Sequence, residues 1–270
     1  MPELPEVETV RQTLKQFVLN KTIESIDVYY DQVIDGERHV FQEKLVNQTI
    51  KDIQRQGKYL IFILDHDAFI SHLRMEGKYY VVDASTPIDK HTHVVFHLDG
   101  HVDLRYHDTR KFGRMKLVSH DHYLYEEPLN RLGKEPFDIT TDELYSSFHR
   151  SSLPVKTILL DQSIMSGIGN IYANEICYLM HIDPRTKASR LSKKRVDELR
   201  IIAIDVLNAA IQQGGTTIHS FDANGIHGLF QVQLNVHGQK VCSVCHHNIK
   251  KIMLHQRGTY FCPICQKRRY

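Results

Sequence analysis

The spacing of apolar and polar residues changes near the middle of the chain. Between residues 22 and 118, short runs rich in apolar residues follow one another, and turn residues such as Gly57, Gly77 and Gly113 separate several of these runs. Short runs bounded by turn residues are typical of strands, and many of them within about 100 residues favour an antiparallel sandwich. The pattern predicts a β-sandwich of eight strands, at 22–30, 49–55, 58–65, 68–75, 78–83, 92–98, 101–107 and 114–118.

Apolar residues at helical spacing lie on both sides of the strand region. Residues 3–19 predict a first helix, with Glu3 and Glu6 in the first turns where the helix dipole favours anions. After a polar stretch at 119–138, interpreted as a linker, the spacing predicts helices at 140–150, 154–163, 170–181 and 192–213. We therefore expect an α+β multidomain protein, with an N-terminal domain over 1–135, a helical domain over 136–238 and a third domain over 239–270.

The composition narrows the class of protein. With 41% hydrophobic and 24% charged residues, the chain is of ordinary globular type, which excludes collagen-like and disordered classes. No apolar run is long enough to span a bilayer, and the acidic start MPELPEVETV is unlike a secretion signal. We expect a cytoplasmic protein with no membrane partner.

Charge is distributed unevenly along the chain. Residues 239–270 contain seven Lys or Arg and no Asp or Glu, whereas the other 238 residues carry 27 basic and 32 acidic side chains. A basic end on a slightly acidic body indicates a local contact with a polyanion. A solvated basic tail is the simpler interpretation of the charge alone.

Four of the five cysteines lie in this basic end. Cys242 and Cys245 form one C-x2-C pair, and Cys262 and Cys265 form a second pair after a gap of 16 residues. This spacing is typical of a closed four-thiolate site, which predicts one structural Zn²⁺ with no open position for catalysis. Two disulfides are the alternative, and the lack of a secretion signal disfavours them. Cys177 lies in an apolar stretch and is expected to be a core thiol.

A glycine-containing turn, Gly167-Ile168-Gly169-Asn170, lies between two predicted helices. It places Asn170 as the N-cap of the second helix. The free N–H groups at that helix start suit a phosphate. A capped turn without a ligand explains the same residues equally well.

The start of the chain offers a candidate nucleophile. A small second residue permits removal of Met1, which would leave Pro2 with a terminal secondary amine. A terminal amine has a pKa of about 8, so part of it is neutral at pH 7 and can form a Schiff base with a sugar aldehyde. Glu3 and Glu6 follow directly as candidate proton donors. A processed proline without a catalytic role is the alternative.

Several sequence motifs, which include the chain start, the glycine turn and the cysteine segment, together resemble one protein family. The opening MPELPEVETV, the segment GIGNIYANE at 167–175 and the segment QRGTYFCPICQK at 256–267 closely resemble bacterial formamidopyrimidine-DNA glycosylase. HLRMEG at 72–77, DTRKFG at 108–113 and QGGTT at 213–217 also match. The resemblance extends from residue 1 to about residue 267. It implies a helix–two-turns–helix fold for the helical domain and a zinc ribbon, a type of zinc finger, over 239–270.

The resemblance implies a bifunctional DNA repair enzyme. Members excise oxidised purines, mainly 8-oxoguanine and formamidopyrimidines, and then cleave the abasic strand by β,δ-elimination. By this resemblance Pro2 forms the Schiff base with the sugar C1′, and Glu3 is the acid/base. Lys58 is implied in proton transfer and phosphate contact, and Arg257 in phosphate binding and δ-elimination.

The resemblance also implies how the enzyme contacts damaged double-stranded DNA. The target nucleotide must leave the stack, and Met75, Arg110 and Phe112 match the residues that fill the space it leaves. The other implied DNA contacts are His72, His91, Lys156 and Asn170. The implied residues of the lesion-base pocket are Glu6 and Glu76. We expect a monomer without a small-molecule cofactor.

The chain departs from the family pattern in two informative places. His237 stands where the family usually has a tyrosine that contacts phosphate. The segment 217–230, which matches the loop that closes over the lesion base, is the least similar part. The preference among oxidised bases is therefore the part of the function that the resemblance constrains least.

Three other functions would leave different marks in the sequence. The endonuclease-VIII-like glycosylases, which prefer oxidised pyrimidines, tend to begin P-E-G-P-E and to carry their wedge residues on one loop. Here Leu4 replaces that glycine, and Met75 is far in sequence from the other two wedge residues. A non-catalytic damage-binding protein would have lost Pro2, Glu3 or Lys58. A zinc-ribbon protein-interaction module would predict neither the opening motif nor the wedge residues.

Overall fold

The computed structural model describes residues 1–214 and 234–268. They form two compact units, the first from Met1 to Asn130 and the second containing Arg131–Gln213 and the described residues after 233. The expected lesion loop at 217–230 lies outside the described residues, as does most of QGGTT. The domain boundaries expected at 135 and 238 stay predictions.

The first unit begins with helix α1 (Leu4–Val18), as the sequence predicts. Helix α1 is buried on all sides from Leu4 to Glu8, and beyond that it buries one apolar face with Val10, Leu14 and Val18. Pro5 fits the first turn because the first N–H groups of a helix have no partner within it. The helix therefore packs on the sandwich core, and its first turn lies directly after Pro2.

Eight strands confirm the predicted β-sandwich. They are β1 (Ile23–Val28), β2 (Asp52–Gln56), β3 (Tyr59–Ile63), β4 (Asp67–His72), β5 (Lys78–Asp83), β6 (Thr92–Leu98), β7 (Val102–His107) and β8 (Arg114–Ser119). They form two antiparallel four-stranded sheets, in the orders β1-β6-β7-β5 and β2-β3-β4-β8.

Aromatic side chains fill the space between the two sheets. The rings of Phe62 and Phe69 stack at 4.4 Å, and those of Phe69 and Phe96 stack at 5.3 Å. All three are fully buried, and such pairs add to the stabilisation from apolar burial. Helix α2 (Arg38–Leu45), which the sequence pattern does not predict, covers this core with Phe41 and Leu45.

The second unit contains the predicted helices. They are α3 (Thr141–His149), α4 (Val155–Leu159), α5 (Asn170–Leu179) and α6 (Lys193–Gln212). Helix α4 ends at Leu159, four residues before the predicted end. At the start of α3, the Thr140 side chain accepts the N–H of Glu143 in a capping box, and at the start of α6 the Ser192 side chain accepts the N–H of Arg195. Both helix starts are therefore determined by side chains close to them in the sequence.

The cysteine-containing segment belongs to the same unit. Strands β9 (Lys250–Leu254) and β10 (Arg257–Phe261) form a two-stranded antiparallel hairpin. Asp183 N–H donates to the carbonyl of Lys267, and the Gln266 side chain donates to the carbonyl of Ile182. These bonds join the end of the chain to the turn after α5.

In the part of the chain that the structure describes, no helix is both long enough and apolar enough to traverse a bilayer.

Candidate functional site

The predicted site residues lie in both units. In the first unit they are Pro2, Glu3, Glu6, Lys58, His72, Met75, Glu76, His91, Arg110 and Phe112. In the second unit they are Lys156, Asn170, Arg257 and the four paired cysteines.

The chain start is held by the first turn of α1. Glu3 is the N-cap residue, and its N–H donates to Oε2 of Glu6 at 2.8 Å within a capping box. Both carboxyl groups are almost fully buried, whereas Pro2 is half-buried and precedes the box by one residue. Glu6, expected in the lesion-base pocket, therefore orients Glu3.

Lys58 lies in the turn between β2 and β3, and this turn is held to α1 by hydrogen bonds. Arg55 donates one hydrogen bond to the Gly57 carbonyl at 3.1 Å and another to Glu8 on α1 at 2.9 Å. Burial raises the pKa of Glu8, but hydrogen bonds from Arg11, Arg55 and Gln12 outweigh it and lower that pKa to about 2. The ionised Glu8 thus anchors the turn that carries Lys58. The Lys58 side chain is buried.

His72 is a neutral imidazole at the end of β4. Its ring contacts the ring of Tyr59 edge-on at 4.5 Å, and its Nδ1 accepts a hydrogen bond from the N–H of Arg74. Burial, with the charges of Arg74 and Lys58, lowers the pKa of His72 to about 3. Because Nδ1 is the acceptor, the proton is on Nε2, which leaves that nitrogen as a donor.

The three predicted wedge residues lie at the tips of two turns in the first unit. Met75 and Glu76 are exposed in the turn between β4 and β5. Arg110 and Phe112 are exposed in the turn between β7 and β8, and the guanidinium carbon of Arg110 lies 4.8 Å from the Phe112 ring centroid. Exposed apolar side chains beside a cation suit insertion into a duplex.

His91 lies on a third turn of this unit. Its N–H donates to Asp89, and its ring is 5.4 Å from the ring of His107, which also bonds Asp89. Asp89 and His107 therefore orient His91, which is half-buried. His107 is not among the residues that the sequence predicts for the site, because its partner Asp89 is distant along the chain.

Lys156 and Asn170 lie against the ribbon hairpin in the second unit. Nζ of Lys156 donates to the Gly258 carbonyl at 3.0 Å and to Thr259 Oγ1 at 2.7 Å, and Asn170 Nδ2 donates to the same carbonyl. Lys156 is 1% exposed, so in this structure it positions the strand that begins at Arg257. A direct contact between Lys156 and DNA stays a prediction.

The prediction that Asn170 is an N-cap is wrong. Gly169 is the N-cap of α5, and Asn170 is the first helical residue. Because its side chain extends to Gly258, it does not bond the N–H groups of its own helix start. The glycine performs the capping role since its backbone is extended and it needs no side chain there.

Arg257 is exposed at the first position of β10. His255 and Gln256 connect β9 to β10 with φ of 46° and 62°, which is the left-handed geometry of a two-residue type I′ hairpin turn. Leu254 pairs directly with Arg257 across this turn. The tight turn and the Lys156 contacts together hold the backbone on both sides of Arg257.

The four predicted cysteine ligands converge on one point. Their sulfur atoms all lie within 4.8 Å of one another, with Cys242 and Cys265 at 3.8 Å and Cys245 and Cys262 at 3.4 Å. Four sulfurs placed about 2.3 Å from a tetrahedral Zn²⁺ are separated by about 3.8 Å, so the cluster fits one structural zinc. Cys177, in contrast, is fully buried, and burial raises its pKa to about 12. It is therefore a protonated thiol of the core.

Family models match nearly the whole chain. Formamidopyrimidine-DNA glycosylase N-terminal domain matches residues 1–115, Formamidopyrimidine-DNA glycosylase H2TH domain matches residues 132–222, and Zinc finger found in FPG and IleRS matches residues 239–268. A formamidopyrimidine-DNA glycosylase of Oceanobacillus iheyensis is 45% identical over 273 residues, which cover 98% of each chain.

Solved structures show the same similarity. A complex between Lactococcus lactis Fpg and DNA containing an abasic site has a TM-score of 0.93 and 36% identity, over 98% of this chain and 100% of the other. A complex of a Lactococcus lactis Fpg mutant with DNA containing Fapy-dG has the same TM-score and identity over 99% of this chain. The chain therefore belongs to the formamidopyrimidine-DNA glycosylase family and is a DNA-binding glycosylase of base-excision repair.

Proposed function

We propose that this enzyme excises oxidised purines, 8-oxoguanine and formamidopyrimidines, through a Schiff base on Pro2 and then cleaves the abasic strand by β,δ-elimination. The observation that carries the proposal is the chain start, where half-buried Pro2 directly precedes the buried Glu3–Glu6 capping box. A terminal amine held at a fixed helix start is a positioned nucleophile.

The reaction begins at C1′ of the damaged nucleotide. The Pro2 nitrogen forms a bond to C1′ while the bond from C1′ to the base breaks, and the base leaves with a proton. Glu3 then donates a proton to the sugar O4′ as the ring opens, which leaves an iminium between Pro2 and C1′. The capping box stabilises Glu3 in the orientation that this transfer needs.

Elimination uses the same iminium as an electron sink. Loss of a proton from C2′ expels the 3′ phosphate, and loss of a second proton from C4′ expels the 5′ phosphate. Lys58 is the proposed proton carrier, and its turn is anchored by Arg55 and Glu8. Arg257 is the proposed phosphate contact for the second elimination.

Two observations support oxidised purines as substrates. Met75 lies on a different turn from Arg110 and Phe112, as expected for the purine branch of the family. The similar wild-type Lactococcus lactis protein was solved with DNA containing N7-benzyl-Fapy-dG, although it was also solved with DNA containing an oxidised pyrimidine. We further propose that the enzyme acts as a cytoplasmic monomer and needs no small-molecule cofactor.

Borohydride trapping tests this mechanism. The protein with a free Pro2 terminus is incubated with a duplex that contains one 8-oxoguanine opposite cytosine, and the reduced adduct is mapped by peptide mass. We expect an adduct at Pro2 and none when a preceding tag turns the Pro2 nitrogen into an amide. An adduct at Lys58, or none despite tight binding, contradicts the mechanism, and an adduct only with an oxidised pyrimidine contradicts the substrate class.

A further inference from the structure

One buried hydroxyl lies where two exposed turns of the first unit end. Tyr106 on β7 is fully buried. A methyl group built on Gly113 would lie 1.6 Å from its hydroxyl oxygen, and one built on Gly77 would lie 2.4 Å from the same oxygen. Both turns therefore end against the Tyr106 hydroxyl, and only glycine permits this approach.

A buried carboxylate beside this hydroxyl holds one of the turns. Asp108 is fully buried, and its Oδ1 accepts the N–H of Arg110 at 2.9 Å. Its Oδ2 accepts the N–H groups of Phe112 and Gly113, each at 2.9 Å, and the hydroxyl of Tyr106 at 3.3 Å. Four donors compensate the loss of hydration of the carboxylate, so the turn has one preferred conformation.

Each of the two turns has a fixed base and an exposed tip. The turn that carries Met75 is closed by a bond from the Gly77 N–H to the Leu73 carbonyl at 2.9 Å. Met75 is 36% exposed and Phe112 is 48% exposed, although their turns begin and end at buried residues. The tips that would enter DNA therefore lie on a common buried support.

We propose that Tyr106 and Asp108 are positioning residues that hold the two turns at a fixed separation, so that Met75, Arg110 and Phe112 enter the duplex together. This inference rests on the proposed function, because it assigns insertion to those three side chains. Several side chains must enter the space of the flipped nucleotide at the same time. Holding them in position beforehand lowers the conformational entropy that is lost when they bind the duplex.

Two neighbouring residues provide matched controls. Asp103 on β7 is, like Asp108, a buried aspartate, but among the described residues it bonds the side chains of Arg105 and His97 and no turn N–H. Tyr79 is also a buried tyrosine, paired with Tyr106 in the same sheet, and its hydroxyl donates to Ser71. Asp103→Asn and Tyr79→Phe thus remove a buried carboxylate and a buried hydroxyl that do not hold either turn.

The experiment compares two substrates for each variant. One is 8-oxoguanine in a duplex, which requires insertion, and the other is an abasic site in a single strand, where no stack has to be filled. We expect Asp108→Asn to lower the ratio of the two kcat/KM values about tenfold, and Tyr106→Phe to lower it about threefold. The control variants are expected to leave this ratio unchanged, whatever they do to Tm.

The results of this comparison distinguish a positioning role of Tyr106 and Asp108 from a purely structural one. An equal loss on both substrates shows that Asp108 only maintains the fold, and an unchanged ratio in both variants shows that the pair does not position the turns. Either result overturns the inference. If Asp108→Asn does not fold, the ratio for Tyr106→Phe decides. If the wild-type protein is inactive on both substrates, the proposed function fails instead.

Discussion

The side-chain amide of Asn174 lies 2.7 Å from Nδ1 of His237, and this contact determines which nitrogen of the imidazole carries the proton. When the amide donates to Nδ1, Nε2 keeps its hydrogen and is the donor. The His237 ring lies 4.9 Å from that of Tyr260, and the backbone N–H of His237 donates to the buried carboxylate of Glu175. Burial, together with the charges of Lys156 and Lys251, outweighs the opposing charge of Glu175 and lowers the pKa of His237 from its ordinary value, which favours the neutral ring at pH 7.

We expect His237 to donate a hydrogen bond to a DNA phosphate in place of the family tyrosine. His237→Phe should then weaken DNA binding about three- to tenfold, since a hydrogen bond contributes about 0.5–1.5 kcal/mol net. His237→Tyr, which restores a donor, should bind like the wild type. Fluorescence anisotropy at one fixed salt concentration measures both affinities. Equal affinity of the wild type and His237→Phe would exclude this contact.

His72 should make the stability of the protein depend on pH. The imidazole has a pKa of about 6.5 in the unfolded chain and about 3 in the folded protein. The unfolded state therefore binds more protons between these values, and stability is lost as the pH falls below 6.5. At pH 5 this loss is about 2 kcal/mol relative to a variant without the imidazole.

Urea unfolding at pH 7.5 and pH 5 checks this expectation. His72→Asn keeps an acceptor for the Arg74 N–H but has no titrating ring, so its unfolding free energy should change less between the two pH values. His66→Asn is the matched control, because His66 is exposed at the turn before β4. A pH dependence that is the same in His72→Asn and the wild type would contradict the prediction.

Removing one zinc ligand should separate metal binding from folding of the sandwich. We expect Cys262→Ser to lose its zinc and its affinity for DNA while the β-sheet signal in circular dichroism is retained, because all eight sandwich strands lie in the other unit. Elemental analysis of zinc per chain and a DNA-binding titration measure both effects. Cys177→Ser, at a core thiol, is the control and should keep one zinc. A zinc-free variant with wild-type affinity would refute the expectation.

Lys156 and Thr259 should be energetically coupled. A hydrogen bond from a charged donor contributes about 1.5–3 kcal/mol, so Lys156→Met should lower the free energy of unfolding by about that amount. Thr259→Val removes the same bond from the other side. In a double-mutant cycle the two effects should be non-additive by at least about 0.5 kcal/mol. Additive effects would mean that the 2.7 Å contact does not stabilise the hairpin.

Much of the fold follows from local patterns. The eight strands were predictable because they are short runs rich in apolar residues and several are bounded by turn residues. The helix starts at Thr140 and Ser192 follow from capping chemistry. Helix α2 was missed because only Phe41 and Leu45 are buried in an otherwise polar segment, which leaves too narrow an apolar stripe.

The candidate site was less predictable where a role depends on a distant partner. The sequence shows Lys156 and Asn170 but not that both extend to Gly258, about a hundred residues away along the chain. It likewise contains Asp108 within DTRKFG without indicating that the carboxylate accepts the N–H groups of its own turn. Such roles arise from tertiary packing, which no periodicity of the sequence encodes.

The exposed tips and buried support of the two wedge turns differ in how freely they can change. Met75, Arg110 and Phe112 are exposed, so substitutions there cost little folding stability and can alter which base pair the turns accept. Substitutions in the buried support are not tolerated in this way, because side chains larger than glycine at Gly77 or Gly113 would collide with the Tyr106 hydroxyl. A library that seeks a new base-pair preference should therefore randomise the tips and keep the support constant.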